Sequence, residues 1–377
     1  MSDGKTLGVG VIGAHAWAEK AHLPGFAACD RVRRVAICDT IPERAQAMAD
    51  KFGFARIYTD HTAMLADPDI DMVDVCTPTG THAAISRDAL ASGRHVLCEK
   101  PLALDAATAF DLARTAEAAK LRTKIGFTFR YSPAIRQIRA WIAAGAMGEI
   151  FHIHGFQQNS QFLDVNFPLR QYGLGEVGEE LIPASIVGYG SHLVDLMRWC
   201  GGEFSAVSAS MKNFIPERMV RGKQGLQRVP IDDGTVAAIE FASGAQGVLQ
   251  TSFIAIGNYP GVELRIYGSK MAAIARLIVE GGIAETLQVA QAGAVEFQPY
   301  DLPPDAFAPG TTVKTPWPEL YYRNLVRHWA AEILDDLPSD NTFYDGARSQ
   351  QIVDAIVLSH RERRWVTLPS TEQEPGA

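Results

Sequence analysis

Gly13, Ala18 and Asp39 are the first residues whose types and spacing suggest chemistry. The turn Gly13-Ala14-His15-Ala16-Trp17-Ala18 follows the β-branched run Leu7 to Ile12 and leads into a helix near Ala18. Its amides and the positive helix end are suited to hold an anion such as a pyrophosphate. Gly13 supplies the tight turn and Ala18 the close helix contact. His15 stands where a second glycine usually lets backbone approach the phosphates, and it either donates to a phosphate or lies over the adenosine edge. A literal Gly8-x-Gly10-x-x-Gly13 match falls inside the first strand rather than after it, so it is set aside. Asp39, 21 residues beyond Ala18, ends the second strand. There a carboxylate accepts from ribose hydroxyls and repels a 2′-phosphate, which favours NAD over NADP. The competing role is capping the helix that starts near Pro42.

The elements that must position these groups come in two grammars. From Leu7 to Phe129, short apolar runs (Leu7 to Ile12, Arg34 to Cys38, Met72 to Cys76, His95 to Cys98, Lys124 to Phe129) alternate with helix-like stretches (Pro42 to Phe52, His82 to Ser92, Ala106 to Ala119). Alternation of this kind predicts an α/β Rossmann domain over 1–129, a doubly wound parallel sheet. From 130 to 368 the pattern becomes α+β. A helix Ala134 to Ala143 and a strand Ile150 to Phe156 precede an irregular stretch from Gln157 to Tyr189. A helix Ser191 to Cys200 follows, then consecutive strands (Ala206 to Asn213, Val236 to Phe241, Gln246 to Phe253, Val262 to Tyr267) that predict a mostly antiparallel sheet. A proline-rich loop leads to two last helices, Glu319 to Leu334 and Tyr344 to Arg361, and 369–377 reads as a disordered tail.

Composition narrows the function classes. The 377 residues suit two domains, and 47% hydrophobic with 21% charged residues fits a globular protein. A net charge of -8 gives no positive field for a phosphate backbone, so no nucleic-acid partner is expected. No membrane span is expected either, because the most apolar stretch, residues 271 to 284, is broken by charges and glycines. Five scattered cysteines fit reduced thiols and a cytoplasmic location.

Four further motifs carry a resemblance: Thr77-Pro78-Thr79-Gly80-Thr81-His82, Gly93 through Glu99-Lys100-Pro101-Leu102, Gly126-Phe-Thr-Phe-Arg130-Tyr131, and Gly190-Ser-His192-Leu-Val-Asp195. Their order and spacing resemble the glucose-fructose oxidoreductase, inositol dehydrogenase and MocA (Gfo/Idh/MocA) family over nearly the whole chain. The resemblance implies a Rossmann domain followed by an open-faced sheet domain for substrate binding and oligomerisation. It implies nicotinamide in the cleft between them and hydride transfer at a carbinol carbon of a sugar, glycoside or cyclitol, giving a keto-sugar. It places Thr77, Pro78, His82, Glu99 and Arg130 with the cofactor, Tyr131 beside the substrate, His192 as acid-base partner and Asp195 on a substrate hydroxyl.

The chemistry explains the residue types. Moving a hydride from a carbinol requires its hydroxyl proton to leave, so a proton acceptor with a pKa near neutrality must touch that oxygen. Lysine beside a positively charged nicotinamide has its ammonium form disfavoured by desolvation and like charge, which selects Lys100. Pro101 stiffens its turn, with a cis bond as one route. His192 and Asp195 share one helix face, while Leu193, Leu196, Met197 and Cys200 form a separate apolar stripe. The family often carries an aspartate four residues before this histidine; here Gly188 stands there. Either Lys100 and His192 suffice, or Tyr189, Asp164, Glu176 or Glu179 enters, and the wider pocket suits a bulkier substrate such as a glycoside. His152 and His154 share a strand face without a further ligand, so His154 is expected to face substrate or an interface and no metal is expected. Asp164, Arg170 and Tyr189 are added as polar substrate candidates, with Asn159, Asn166 and Gln171 as weaker ones. The competing functions are a dihydrodiol dehydrogenase, a glycosidase that recycles tightly held NAD, and an NAD-binding regulator without catalysis. An exposed sheet face predicts a homodimer or homotetramer assembled across it.

Overall fold

The β-branched runs of the first half fold as strands β1 (Leu7–Ile12), β2 (Val32–Cys38), β3 (Arg56–Tyr58), β4 (Met72–Val75), β5 (His95–Cys98) and β6 (Thr123–Ile125). In the computed structural model, which describes residues 4–169, 181–258, 261–279 and 282–370, their order is β3-β2-β1-β4-β5-β6. Every pairing is parallel. β1 and β4 are buried along their whole length, as central strands covered on both faces must be. The connections are α1 (Leu23–Ala27), preceded by a π turn at Ala18–His22, then α2 (Pro42–Phe52), α3 (His61–Leu65), α4 (His82–Ala91) and α5 (Ala106–Ala118). The core packs Ile12, Val73, Val75, Val96, Leu112 and Ile125 together. Burial of such side chains contributes about 1.5–3 kcal/mol each. The order in which successive strands are added reverses between β1 and β4, and in such sheets ligands bind beyond the carboxyl ends of the strands at that switch.

Among the described residues the second sheet has nine strands: β7 (Ile150–Gln158), β8 (Phe204–Lys212), β11 (Gly234–Phe241), β12 (Gln246–Ser252), β13 (Gly261–Gly268), β14 (Met271–Val279), β15 (Ile283–Gln291), β16 (Gln298–Pro299) and β17 (Val366–Thr367). The remaining pair, β9 (Glu217–Met219) and β10 (Leu226–Arg228), forms a separate hairpin. The order is β16-β15-β14-β13-β7-β12-β11-β8-β17, antiparallel except for β7 against β12. The helices α6 (Pro133–Ala143) and α7 (Ser191–Gly201) belong to this unit. α7 lies close on β7 because Gly155 has no side chain: a Cβ there would stand 2.7 Å from Leu193 Cδ1 and 2.8 Å from Met197 Sδ.

The chain then forms α8 (Trp317–Leu334) and α9 (Phe343–Glu362). The segment Pro304–Gln351 joins the first unit, with Phe343 and Ala347 in its core, while Pro133–Pro303 and the chain from Ile352 form the second. The single cut expected after residue 129 does not capture this return. Other differences are local. The strand expected over Lys124 to Phe129 ends at Ile125, because Thr128–Tyr131 coil as a 3-10 turn. β14 and β15 were not anticipated: the alanine-rich apolar run of β14 and the irregular mixture of polar and apolar residues in β15 both lack the period-two alternation that marks a half-buried strand. No helix among the described residues is long and apolar enough to cross a membrane.

Candidate active site

The residue after each central strand is tied to the last carbonyl of the neighbouring strand. Gly13 donates to Cys38 O at 2.8 Å, Cys76 to Ile12 O at 2.8 Å, Glu99 to Val75 O at 2.9 Å and Gly126 to Cys98 O at 2.7 Å. This row fixes the turn after β1 beside the loops that carry Thr77, Lys100 and Arg130. Gly13 has φ +104, and a Cβ there would stand 1.9 Å from Cys76 O, so only glycine lets the turn pass. Ala18 is buried, as expected of the close helix contact. Asp39 Oδ2 accepts from Ala14 N–H at 2.8 Å and Oδ1 from Ile41 N–H at 2.9 Å. The carboxylate therefore clasps the turn and, through the Ile41 N–H two residues on, closes an Asx turn ahead of α2, which has no side-chain cap. His15 accepts from Trp17 N–H through Nδ1 at 3.1 Å, with Nε2 3.6 Å from Cys76 Sγ. Burial and the neighbouring His22 push its pKa down. Both ring nitrogens are engaged inside the unit, so donation to a phosphate would require the ring to turn. A glycine cradle that a methyl would fill, with a carboxylate at the end of β2, fits an adenine dinucleotide held by the Gly13–His15 turn and Asp39.

Lys100 follows β5, and the Lys100–Pro101 bond is cis. Burial lowers the lysine pKa, partly offset by Glu99. Glu99, expected near the cofactor, is turned into the unit instead. Its Oε1 lies 3.1 Å from Trp17 Nε1 and 3.1 Å from His22 Nε2 and accepts from the Tyr322 hydroxyl, while Oε2 accepts from Lys100 N–H at 3.0 Å. His82 is buried too, with Nδ1 2.7 Å from Pro101 O and Nε2 2.8 Å from Thr77 O. A neutral imidazole has one N–H, so two carbonyl partners call for the imidazolium. Although burial opposes it, interaction with Cys98 and the two carbonyls raises the pKa to about 9. His82 thus braces the Thr77–Pro78 loop against the Lys100–Pro101 loop. Thr77 Oγ1 receives the Thr81 hydroxyl at 2.8 Å, and Pro78 is exposed before the Thr79–Thr81 turn. Arg130 is buried with its guanidinium 3.1 Å from Asp345 Oδ1. Tyr131, expected beside substrate, is fully buried, its ring 5.8 Å from His328 and 5.9 Å from Lys124 Nζ, so it is not an open ligand surface.

In the second unit, α7 presents Leu193, Leu196, Met197 and Cys200 to the core as expected. His192 is half-buried, whereas Asp195 is fully buried rather than sharing an open face. A π turn, Ile186–Gly190, precedes α7 and holds Gly188 and Tyr189. Among the described residues a Cβ on Gly188 would meet nothing within 4 Å, so a side chain can start there. Tyr189 packs on Phe253, ring centroids 5.1 Å apart. His154 takes the opposite side of the sheet from α7: it alternates with Gly155 and lies 5.4 Å from the Tyr267 ring. This puts it on the other face of the sheet from His192. Asp164 is exposed and accepts from its neighbour Asn166, N–H at 2.9 Å and Nδ2 at 3.1 Å, as in a local turn. Arg170, Gln171, Glu176 and Glu179 lie outside the described residues.

The sequence did not single out His22, Asp74, Tyr322 or Trp17. His22 Nδ1 lies 2.8 Å from Asp74 Oδ2, and both are fully buried. Burial disfavours the imidazolium, but the Asp74 charge lifts the His22 pKa well above its usual value. A signal existed: an aspartate in the apolar run Met72-Val73-Asp74-Val75 needs a buried partner.

Residues 7–127 match the model described as "Oxidoreductase family, NAD-binding Rossmann fold", and residues 135–274 match the GFO/IDH/MocA C-terminal domain. Levoglucosan dehydrogenase of Pseudarthrobacter phenanthrenivorans is 29% identical, over 97% of this chain and 99% of that protein. D-glucoside 3-dehydrogenase of Escherichia coli is 29% identical, over 66% of this chain and 70% of that protein. A solved levoglucosan dehydrogenase in complex with NADH and levoglucosan superposes with a TM-score of 0.85 at 27% identity, covering 97% of this chain and 100% of the other. The chain belongs to the GFO/IDH/MocA oxidoreductases and is a nicotinamide-dependent dehydrogenase of CH–OH groups with NAD as its cofactor.

Proposed function

We propose that the protein oxidises one carbinol of a cyclic sugar or glycoside to a ketone, with Lys100 and His192 as the proton-transfer groups. The observation that carries this reading is Lys100 just beyond the carboxyl end of β5, next to Glu99 in the row of strand ends that includes Gly13, half-buried where desolvation disfavours its charged form. NAD, when bound, supplies the hydride acceptor, and the Gly13–His15 turn and Asp39 hold it. The uncharged Lys100 amine takes the proton from the substrate hydroxyl, which is why burial that disfavours its ammonium form helps the oxidation. His192, half-buried on α7, is the second proton-transfer group by the motif it shares with the family. The space beside Gly188 supports a substrate larger than a free cyclitol, in keeping with the levoglucosan and glucoside named for two relatives.

The test is NADH formation over a panel of levoglucosan, alkyl glucosides, apiose and myo-inositol. Net NADH with an anhydrosugar or glucoside is expected. Hydrolysis without net NADH would identify an NAD-recycling glycosidase, and saturable NAD binding without turnover on the panel would favour a regulator. Assembly belongs to the same reading. On the sheet face turned from α7, Val236 is 49% and Val248 38% exposed, which supports a homo-oligomer across that face, and the five buried free cysteines fit a reducing cytoplasm.

A further inference from the structure

Buried acids seldom collect four donors without a reason, and the Glu99 carboxylate has them from four directions. His22 comes from the π turn after β1, Tyr322 from α8, Trp17 from the phosphate turn and the Lys100 N–H from its own loop. Behind His22 stands Asp74 of β4, fully buried and 2.8 Å away. Gly126 completes the enclosure: a Cβ there would lie 2.8 Å from Glu99 Cδ and Oε1 and 2.9 Å from Oε2. Two carboxylates with an imidazole between them form a chain that ends at the residue before the proposed proton acceptor.

We propose that Glu99 is a positioning residue: anchored by the Asp74–His22 pair, Tyr322 and Trp17, it fixes the backbone of Lys100 and the negative charge beside the lysine amine. This rests on Lys100 being the proton acceptor. Its logic is electrostatic. Lys100 sits in a site whose burial drives the ammonium toward the neutral amine, and a fixed anion moderates that drive so that the amine keeps enough basicity to hold a proton once taken. The anion must itself stay ionised while buried. Against the cost of burial, the His22 hydrogen bond and charge come first in holding Glu99 well below the usual carboxylate range, with the Tyr322 hydroxyl and Lys100 adding to it. Among the described residues the other titratable groups around the chain are His15 and Cys76: His15 is pushed toward neutrality and the Cys76 thiol is pushed up to about 11, both by burial first, so neither supplies a competing charge near neutral pH. Glu99 therefore acts on the reaction through Lys100 and not through the cofactor.

The experiment follows the Lys100 13Cε resonance through a pH titration of the full-length protein labelled at lysine, assigned with K100M, in wild type, E99Q and E99D. The wild-type midpoint is expected below that of an ordinary lysine. E99Q is expected to lower it by about one further pH unit, the size of effect one adjacent opposite charge produces, and E99D is expected to restore it toward wild type. If E99Q does not fold, E99A carries the same expectation as E99Q. A midpoint that is unchanged or higher in the folded neutral variant overturns the inference. So does weakened NAD binding with an unmoved midpoint, which would make Glu99 a cofactor contact. Turnover of K100M decides the role of Lys100 separately, so a failure of that role and a failure of this inference are told apart.

Discussion

The Ala14 N–H donates to Asp39 Oδ2 over 2.8 Å, so the carboxylate at the end of β2 holds the turn after β1 closed, beside the ribose contact proposed for it. Two functions on one side chain can be separated by substitution. D39S removes the charge and the clasp together, whereas D39N drops the charge but keeps an oxygen for the Ala14 amide. Both should relax discrimination against NADP. Only D39S should lose stability, by about 1.5–3 kcal/mol if the bond to a charged acceptor has its usual worth and by less to the extent that Asp39 is solvated. Cofactor preference from kcat/KM ratios, with urea unfolding alongside, checks both; an unchanged preference in D39N would mean that another group reads the ribose.

His82 makes the pH dependence of stability specific. Its folded pKa, raised to about 9 by Cys98 and the Pro101 and Thr77 carbonyls against burial, lies above the unfolded value near 6.5. A raised histidine pKa contributes stability that is fully present below about pH 6.5 and is lost as pH rises through about 9. The lost increment is at most about 3.5 kcal/mol, at about 1.4 kcal/mol for each pH unit that separates the folded from the unfolded value. Unfolding free energies between pH 6.5 and 9.5 should fall in wild type and run flatter in H82Q. Parallel curves would show that His82 stays neutral and makes only one of its two bonds.

Gly188 is open space one helical turn before His192. G188D adds a carboxylate at a position where a Cβ would meet nothing within 4 Å among the described residues. The variant should fold normally, lose kcat/KM on bulky glycosides by about 10- to 200-fold, the range that pocket contacts give, and lose less on myo-inositol. Relative kcat/KM across the substrate panel measures this, and an equal loss on every substrate would contradict the link between Gly188 and substrate size.

Much of this site was legible because strand ends carry it. β-branched runs and helix signals located β1, β2, β4 and β5, and Gly13, Asp39, Thr77 and Lys100 follow from where those strands stop. The π turns at Ala18–His22 and Ile186–Gly190 leave no periodic signal, so the inward-facing His22 stayed hidden. Tyr131 and Glu99 were expected to meet ligand because they sit in motifs, but a motif fixes the backbone path and not the side on which a side chain lies: Tyr131 is buried and Glu99 turns to His22. Likewise His154 and Asp195 were assigned by type; the alternation of β7 puts His154 on the sheet face away from α7, and the burial of α7 closes Asp195 off. Tyr322 comes from a helix more than two hundred residues further along the chain, a pairing that no local pattern can announce.

The central claim is that the Lys100 amine takes the proton during oxidation of a carbinol by NAD. Its most direct measurement is NADH formation by K100A on the preferred sugar, with NAD affinity of the same preparation read from fluorescence quenching. The account predicts a loss of about 10²- to 10⁴-fold in turnover, as removal of a general base gives, with NAD affinity retained. Turnover near the wild-type rate would contradict it.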